Sequence, residues 1–428
     1  MTDSDPDTLD SPERFEVTYQ NPQAIQLRFD FAADRRPEFV IRTDGTVAVD
    51  IDLPSSEFVT RLTDQSDQVA WLNSASDDAS ALEVVNAGLS SRLQFINPSQ
   101  VFEIDGREGD DQFTTGPLAN PLALIPSIIG SGGNDAIVWN ANGTFGSVDA
   151  TEEFLLDAES VQIFGDVEML GVGGVRINAA DELLIASQIN SGDGSLVIQS
   201  QARSSDLSAS VLRSAASSPQ EASITLQGGD FVLGKIIAAN GSVLLGDSRG
   251  HFTGTVGGIG SVTQTLGSRI ETGMVIATSQ GALRLDAVRN ALDEVDLEAT
   301  GEIRVLDSEA DLLVNVNSGG MVEIQVAGNL VVDQVASLDE TVRLRSVGEM
   351  IAAVNQTGLH VSGRVIDLAT GVAFPNQTFA ASVPSSIGTA EAPLRLSASE
   401  RVNASTVSTG GDIFLESPRL VGDVSADG

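Results

Sequence analysis

Two short segments of this chain combine glycine and aspartate at close spacing. They are residues 106–113, which read GREGDDQF, and residues 130–137, which read GSGGNDAI. Glycine permits tight turns that turn backbone carbonyls toward one point, and aspartate supplies carboxylate oxygens. A hard cation such as Ca²⁺ prefers oxygen donors of both kinds. These two segments are therefore the best candidates for a chemical site.

Both segments resemble the calcium nonapeptide Gly-Gly-x-Gly-x-Asp-x-Φ-x of RTX-type secreted proteins, where Φ is an apolar residue. In that family the turn carbonyls face the ion and the aspartate completes its coordination. The resemblance implies calcium as the only cofactor, with ligands from these residues: Asp111, Asp135, Gly106, Gly109, Gly130 and Gly132.

The two segments depart from the RTX pattern in two ways. The second glycine is replaced by Arg107 in one copy and by Ser131 in the other. The copies also stand 24 residues apart instead of following each other directly. The alternative is that both segments are glycine-rich bends between strands and hold no metal.

Other motifs in the chain do not predict an active site. Residues 229–236, GDFVLGKI, match Gly-x4-Gly-Lys, but Ile236 stands where a phosphate-binding loop needs Ser or Thr. The two histidines, His251 and His360, are predicted to lie five or six repeats apart, which excludes a two-histidine metal site. The chain has no cysteine, so disulfides, thiolate catalysis and cysteine-bound zinc are excluded.

A run of carboxylates from 293 to 311 suggests the strongest rival function. In a β-helix, acids on adjacent turns can line a groove, as a polysaccharide lyase or glycosidase would require. The competing interpretation is a solvated outer face, which the alternation of inward and outward residues favours, and aromatic residues that could bind a sugar are scarce. The acids are Asp293, Glu294, Asp296, Glu298, Glu302, Asp307, Glu309 and Asp311.

From position 173 to the C-terminus the chain repeats a phrase of glycine followed by alternating aliphatic residues. It returns about every twenty residues in the second half of the chain, for example as GALRL at 281 and GEIRV at 301. A fixed period of this size is typical of a solenoid, in which each repeat buries its face against its neighbours. The first aliphatic residues of successive phrases are Val175, Leu196, Ile224, Val243, Val262, Leu283, Ile303, Val322, Val342, Leu359, Leu394 and Ile413.

Apolar residues alternate with polar ones inside each repeat, which is the period of a strand. Val295 and Leu297, for example, alternate with carboxylates. We predict an all-β fold, a right-handed parallel β-helix of roughly 19–21 residues per turn preceded by an irregular β region. Longer gaps in the period predict insertions at 201–220 and 370–392. A hairpin is predicted around the turn at 43–45.

The same patterns predict four regions. Residues 1–13 form a disordered acidic lead, and 14–100 form an N-terminal β region or cap. Residues 101–165 are the glycine-rich, RTX-like segment with the first turns, and 166–428 are the β-helix repeats. The chain stops directly after a well-formed phrase, which suggests a truncated β-helix.

Charge and composition point to an exported protein. The net charge is -37, which disfavours partners such as nucleic acid and anionic membranes. Lys235 is the only lysine, and no segment approaches a membrane span. The polar N-terminus carries no secretory signal, so any export would use another route.

The later repeats, above all residues 408–415, STGGDIFL, resemble those of filamentous-haemagglutinin-like bacterial adhesins. The resemblance implies a non-enzymatic structural and adhesive segment of a large secreted or cell-surface protein. Its expected partners are a host or neighbouring cell surface, a glycan or matrix. The alternatives are a carbohydrate-active β-helix enzyme and a calcium-stabilised structural module.

Overall fold

The computed structural model of the chain describes residues 14–21, 24–30, 38–42, 47–51, 55–73, 79–118, 124–147, 152–217, 222–246, 258–308, 311–354, 358–375, 384–407, 410–417 and 423–427. In this part of the chain every regular element is a strand, which confirms the all-β class. The strands belong to a large mixed sheet in which parallel pairs predominate. No helix long and apolar enough to cross a membrane occurs among these residues.

The strands fall in two compact units, Met1–Ala202 and Arg203–Gly428, with one strand running through the boundary. Those of the first unit are β1 Arg14–Asn21, β2 Ala24–Asp30, β3 Glu38–Arg42, β4 Val47–Ile51, β5 Glu57–Arg61, β6 Gln68–Asn73, β7 Ala79–Asn86, β8 Leu89–Ile96, β9 Val101–Asp105, β10 Gln112–Thr115, β11 Ile125–Ile129, β12 Ala136–Trp139, β13 Gly143–Ser147, β14 Glu153–Ile163, β15 Val167–Gly171, β16 Gly174–Ile185 and β17 Gln188–Asn190.

β18, Leu196–Arg213, contains the boundary between the units. The second unit continues with β19 Ile224–Gly246, β20 Val262–Ser279, β21 Leu283–Leu285, β22 Ala291–Ala299, β23 Ile303–Asp307, β24 Leu312–Ser318, β25 Val322–Val326, β26 Leu330–Ser337, β27 Thr341–Ser346, β28 Met350–Ala352, β29 Val361–Thr370, β30 Leu394–Thr406, β31 Leu415–Glu416 and β32 Asp423–Asp427.

The first unit mixes hairpins with parallel ladders. β1 pairs antiparallel with β2, and β6, β7 and β8 form an antiparallel meander. One parallel ladder runs through β1, β5, β9, β11, β14 and β16, and another through β6, β10, β12 and β14. The core between them is aromatic: the buried rings of Trp71, Trp139 and Phe154 pack with centroids 5.0–6.0 Å apart.

The second unit is a set of parallel ladders with an aliphatic core. The first aliphatic residues at Val262, Leu283, Ile303, Val322 and Val342 pair in register, as the period predicts. All five are 0% exposed. Because successive side chains of a strand alternate between its two faces, this register buries one face of each strand.

The phrase series is wrong on both sides of that stretch. Val243 pairs with Val275 and therefore belongs to a second column, while Phe231 is the partner of Val262. After Val342 the partner is Ile366, and Leu359 is 39% exposed. A second aliphatic cluster in every repeat offers an equally good match, so spacing alone cannot tell the two columns apart.

The local predictions have mixed outcomes. The insertion at 201–220 is wrong for residues 201–213, because they continue strand β18. The insertion at 370–392 lies partly outside the described residues, and the turn at 43–45 and the acidic lead lie wholly outside them. Of the strands flanking that turn, β3 pairs with β2 and β4 pairs with β8.

Candidate functional site: a buried column of carboxylates

The two glycine-aspartate segments lie on neighbouring strands of one parallel ladder. Gln112 pairs with Ala136 in register, and Glu108 forms a parallel bridge with Gly132. A separation of 24 residues is therefore one step of the ladder in this unit. The spacing that departs from the RTX pattern brings the two segments into direct contact in space.

Both turns adopt the same strained backbone. Arg107 and Ser131, which replace the second glycine, have φ of 68° and 72°. Gly109 and Gly133 have φ of 124° and 133°, where residues with a side chain are rarely found. The Asp105 carboxylate stabilises the pair of turns, because its Oδ1 accepts the Arg107 N–H at 3.0 Å and the Ser131 hydroxyl at 2.9 Å. The two turns thus share one backbone conformation, although neither has the second glycine of the RTX pattern.

Asp111 and Asp135 form part of a column of carboxylates that runs along the ladder. The backbone N–H of Asp67 donates to Asp111 Oδ1 at 2.7 Å, and that of Asp111 donates to Asp135 Oδ1 at 2.8 Å. The N–H of Asp135 donates to Glu159 Oε2, again at 2.8 Å. We call Asp67, Asp111, Asp135 and Glu159 the carboxylate column. Asp111, Asp135 and Glu159 each accept the backbone N–H of the preceding member of the column.

The first member of the column has hydrogen bonds on both oxygens. Asp67 Oδ2 accepts the N–H and the hydroxyl of Thr63 at 2.9 and 2.8 Å. Its Oδ1 accepts Asn86 Nδ2 at 2.7 Å, supplied by the end of β7. Asp67 is therefore a buried but fully partnered carboxylate, at 1% exposure.

The next two members are different. Asp111 is 0% exposed and Asp135 is 1% exposed. Among the described residues, neither Asp111 Oδ2 nor Asp135 Oδ2 has a hydrogen-bond partner. A buried carboxylate oxygen without a donor is costly, because burial removes its hydration without replacing it.

Glycine makes room for these two oxygens. A Cβ placed on Gly106 would lie 2.7 Å from Asp111 Oδ2 and 2.5 Å from the carbonyl oxygen of Gly130. A Cβ on Gly130 would collide with Asp135 Oδ2. The absent side chains thus leave a cradle at each level, bordered by a carboxylate oxygen and, at Gly106, by a backbone carbonyl.

Burial dominates the ionisation of this pair. Burial raises the pKa of Asp111 to about 7, and the nearby charges of Asp67, Asp135 and Asp110 act in the same direction. The backbone N–H of Asp67 opposes the shift. Burial also raises the pKa of Asp135, with Glu159 and Asp110 adding to it. The column therefore carries carboxyl groups that resist ionisation unless a cation or a proton compensates them.

The donor set fits a hard cation in part. The available donors are Asp111 Oδ2, Asp135 Oδ2 and the Gly130 carbonyl. All three are hard oxygen ligands, which suit calcium better than zinc or copper. Gly109 and Gly132 lie in the same turns. The Gly132 N–H donates to the Arg107 carbonyl at 2.6 Å and so links the two turns. Among the described residues, no three His, Cys, Asp or Glu side chains converge as a metal-binding group.

Sequence reasoning missed Asp67 and Glu159. The Asp67 turn has no glycine, and its separation of 44 residues from Asp111 contains the β7–β8 hairpin. The shared signal is the sequence Asp-Gln-apolar, present as Asp67-Gln68-Val69 and as Asp111-Gln112-Phe113. The only sequence signal for Glu159 is its separation of 24 residues from Asp135, which repeats the separation of Asp135 from Asp111.

The acids of the 293–311 run do not assemble one groove. Asp296 and Asp307 are 5% and 0% exposed, on strands β22 and β23. Glu302 forms ion pairs with Arg284 and Arg304 on the outer surface. Glu309 lies outside the described residues. The Gly-x4-Gly-Lys segment lies inside β19, and of the two histidines only His360 is described.

Comparison with known proteins gives no relative. No family model matches the chain, and neither the curated proteins nor the solved structures contain a match.

Proposed function

We propose that this chain is a right-handed parallel β-solenoid that serves as a non-enzymatic structural and adhesive segment of a large secreted or cell-surface bacterial protein. The observation that carries the proposal is the repeating register of the second unit. Strands separated by 19 to 21 residues pair in parallel from Val262 to Val342, with the same face buried at each step. Such a repeat builds a long, stiff structure from one short pattern, because each level packs against its neighbours in the same way.

The outward-facing side chains support a structural role. Arg304 pairs across the ladder with Glu323, and Glu323 with Arg343, so that charges of opposite sign alternate along the stack. Arg343 also lies 3.3 Å from Asp367 on the next strand. Each such surface pair contributes little by itself, but a network holds neighbouring levels in register. The acidic, cysteine-free composition and the resemblance to filamentous-haemagglutinin-like repeats favour an extracellular location.

The solenoid is tested by removing one whole level. Deleting residues 321–340 brings Thr341 to the place of Met321, because Val322 and Val342 are register partners. The shortened chain should keep its β spectrum and lose about 4.8 Å of length in small-angle scattering. Deleting only 321–330 should unfold the region, because it removes half a level and brings strand β26 to the place of β25, so that the ladders to the neighbouring levels no longer align. Equal loss of structure in both deletions would overturn the solenoid.

Adhesion is tested separately from architecture. The full chain, displayed on a non-adherent bacterium, should increase attachment to wells coated with animal-cell matrix or with glycans. A displayed chain carrying the 321–330 deletion provides the unfolded control. Attachment equal to that of the undecorated bacterium would remove the adhesive half of the proposal and leave the structural half.

A second candidate function is a calcium-stabilised module, and the unpartnered oxygens of Asp111 and Asp135 favour it. Asp111, Asp135 and the backbone oxygens near Gly106, Gly109, Gly130 and Gly132 would hold the ion. Calcium would supply positive charge beside carboxylates that are otherwise costly to ionise. The protein's own contribution is the pair of glycine cradles, in which no glycine side chain competes for the space beside each buried Oδ2.

Tryptophan fluorescence is suited to the calcium test, because the two tryptophans, Trp71 and Trp139, are both buried in the first unit. At pH 7.5, millimolar calcium should raise the fluorescence-detected melting temperature relative to excess chelator. The double variant D111N/D135N should lose this response, whereas D193N, which changes an exposed acid, should keep it. A melting temperature indifferent to calcium in the unsubstituted chain would reduce both segments to turns.

A further inference from the structure

The second unit contains one concave feature that the carboxylate column does not explain. It is an open groove of about 520 Å³, which falls in the size range of ligand sites. We define the hydroxyl groove by its lining residues, Asn317, Ala336, Ser337, Leu338, Ser362, Gly363, Ser397, Ala398 and Ser399.

The floor of the groove crosses four strands in register. Asn317 of β24 pairs with Ala336 of β26, Ala336 with Ser362 of β29, and Ser362 with Ser397 of β30. Three steps of a strand ladder make a floor about 14 Å long. The groove therefore extends along the stacking direction of the strands and suits an elongated ligand.

The concavity results from a shift in strand register. The pairing of β29 with β30 changes register between Gly363 and Val365, which leaves one extra residue on β30 beside Ser399. A Cβ on Gly363 would lie 3.0 Å from Val342 Cγ2 and 3.1 Å from the Glu340 carbonyl. A side chain there would push its neighbours back by a few tenths of an ångström, and the small side chains of Ala336 and Ala398 leave the floor open.

The polar groups of the groove are available to a ligand. The side chains of Asn317, Ser362, Ser397 and Ser399 make no hydrogen bond with another described residue. The hydroxyl of Ser337 is the exception, because it donates to the Gly320 carbonyl at 2.8 Å. Hydroxyls and an amide offer both donors and acceptors, a mixture that matches a ligand rich in hydroxyls.

The charge of the groove and its backbone pairing exclude several classes of ligand. No lining residue is charged, although the chain has a net charge of -37. A polyanion is disfavoured by that charge, and a cation would prefer the carboxylates outside the groove. A peptide could not add as a strand at Asn317, Ala336 or Ser362, because each of these residues already pairs on both sides. Leu338, 86% exposed at the rim, offers an apolar surface for the C–H face of a sugar.

We propose that the hydroxyl groove binds a neutral oligosaccharide chain. This inference rests on the adhesive half of the proposed function and gives it a site and a chemical class. It is independent of the carboxylate column and of any metal there.

The test is calorimetric or NMR titration of the full chain with neutral hexasaccharides, namely maltohexaose, cellohexaose, xylohexaose, mannohexaose and N-acetylchitohexaose, with hexagalacturonate as the anionic comparison. At least one neutral chain should bind with millimolar affinity or better. Ser397→Tyr fills the groove and should weaken binding about tenfold or more. Asn403→Tyr, at an outward position of the same strand, should leave affinity within about twofold.

Ser362→Tyr provides a second filling variant in case Ser397→Tyr does not fold, and far-ultraviolet circular dichroism checks both. Absence of binding by the whole neutral panel, binding retained in both filled variants, or stronger binding of hexagalacturonate would each overturn the inference. If the displayed chain still attaches to matrix-coated wells while the panel fails, the adhesive proposal stands and the groove assignment falls. If the displayed chain attaches to no surface while an oligosaccharide of the panel binds in the groove, the groove assignment stands and the adhesive proposal falls.

Discussion

The two units solve the same local problem with different chemistry. In each, a buried polar side chain closes a turn by accepting a backbone N–H from the neighbouring level. In the first unit Asp111 Oδ1 accepts the N–H of Asp67 at 2.7 Å, and in the second Asn290 Oδ1 accepts the N–H of Ile270 at 2.8 Å. Both acceptors are 0% exposed.

What differs is the second polar atom. Asn290 Nδ2 donates to Gln264 Oε1 at 2.9 Å, to the Leu285 carbonyl at 2.9 Å and to the Leu306 carbonyl at 3.1 Å. Gln264 returns a hydrogen bond from its own amide to Asn290 Oδ1 at 2.9 Å. Asp111 Oδ2 has no such partner among the described residues. An amide therefore completes its site, whereas the carboxylate leaves one that a proton or a cation can complete.

The largest effect is expected when the chemistry of the first unit is placed in the second. Asn290→Asp replaces two N–H donors by an oxygen that faces the carbonyls of Leu285 and Leu306 and Gln264 Oε1. Because a buried charge would then meet only acceptors, we expect a loss of about 3–5 kcal/mol in the free energy of unfolding at pH 7. Circular dichroism melts at pH 7 measure the loss.

Acidification distinguishes this effect from simple misfolding of the Asn290→Asp variant. Protonation restores one donor, so the variant should recover part of its stability near pH 4. Gln334→Glu, at an exposed position of β26, is the matched control and should change little at either pH. A variant as stable as the unsubstituted chain at pH 7 would show that the two sites are energetically equivalent and would contradict the comparison.

The second effect concerns the pH dependence of the first unit. Burial raises the pKa of Asp111 to about 7, against 3.8 for an exposed aspartate. The folded state therefore binds a proton more tightly than the unfolded state. In chelator, stability is highest below about pH 4 for this group and falls as the pH rises toward 7, by at most about 4 kcal/mol.

Tryptophan fluorescence during urea unfolding at pH 5 and pH 8 measures this slope for the first unit alone, because Trp71 and Trp139 both belong to it. Asp111→Asn removes the titrating group and keeps an oxygen for the Asp67 N–H, so most of the slope should disappear. Asp193→Asn should retain the slope. A slope of the opposite sign, or one unchanged in Asp111→Asn, would refute the assignment.

The sequence predicts the repeated register better than it predicts the buried polar site. Alternation of Val295 and Leu297 with acids identifies the inward face, because the strand period is fixed by backbone geometry. Asp111 and Asp135 are recognisable because glycines accompany them. Asp67 is not, because its turn contains no glycine and the β7–β8 hairpin lengthens the interval to Asp111.

In the second unit, too, the sequence pattern fails to predict contacts that depend on the three-dimensional fold. Each repeat carries two aliphatic clusters, so the series passes from Val243 in one column to Val262 in the column of Phe231 without a change of spacing. The Asn290–Gln264 network gives no signal either, because its two amides are 26 residues apart and neither belongs to a motif. Long-range hydrogen bonds between single polar residues are set by the fold, and only the fold brings them together.

The smallest expected effect comes from His360 in the second unit, which should respond to acid in the opposite direction. The imidazole is 3% exposed, and its Nδ1 accepts the Arg395 N–H at 3.0 Å. Burial lowers the pKa of His360, the charge of Arg395 lowers it further, and Asp333 and Glu416 oppose the shift. Its contribution to stability is therefore complete above about pH 6.5 and is lost as the pH falls through the lowered value.

Protonation of Nδ1 turns the acceptor into a donor facing the Arg395 N–H, so the hydrogen bond between His360 and the start of β30 is lost, a change of about 1 kcal/mol. Hydrogen-exchange protection of the Arg395 amide, corrected for intrinsic rates at each pH, should fall between pH 7 and pH 5. His360→Asn keeps an acceptor near the Nδ1 position and does not titrate, so protection in that variant should stay constant. Acid that weakens this contact while strengthening the first unit would establish that the two regions differ in the chemistry of single buried acceptors; acid that weakens both equally would leave the contrast without support.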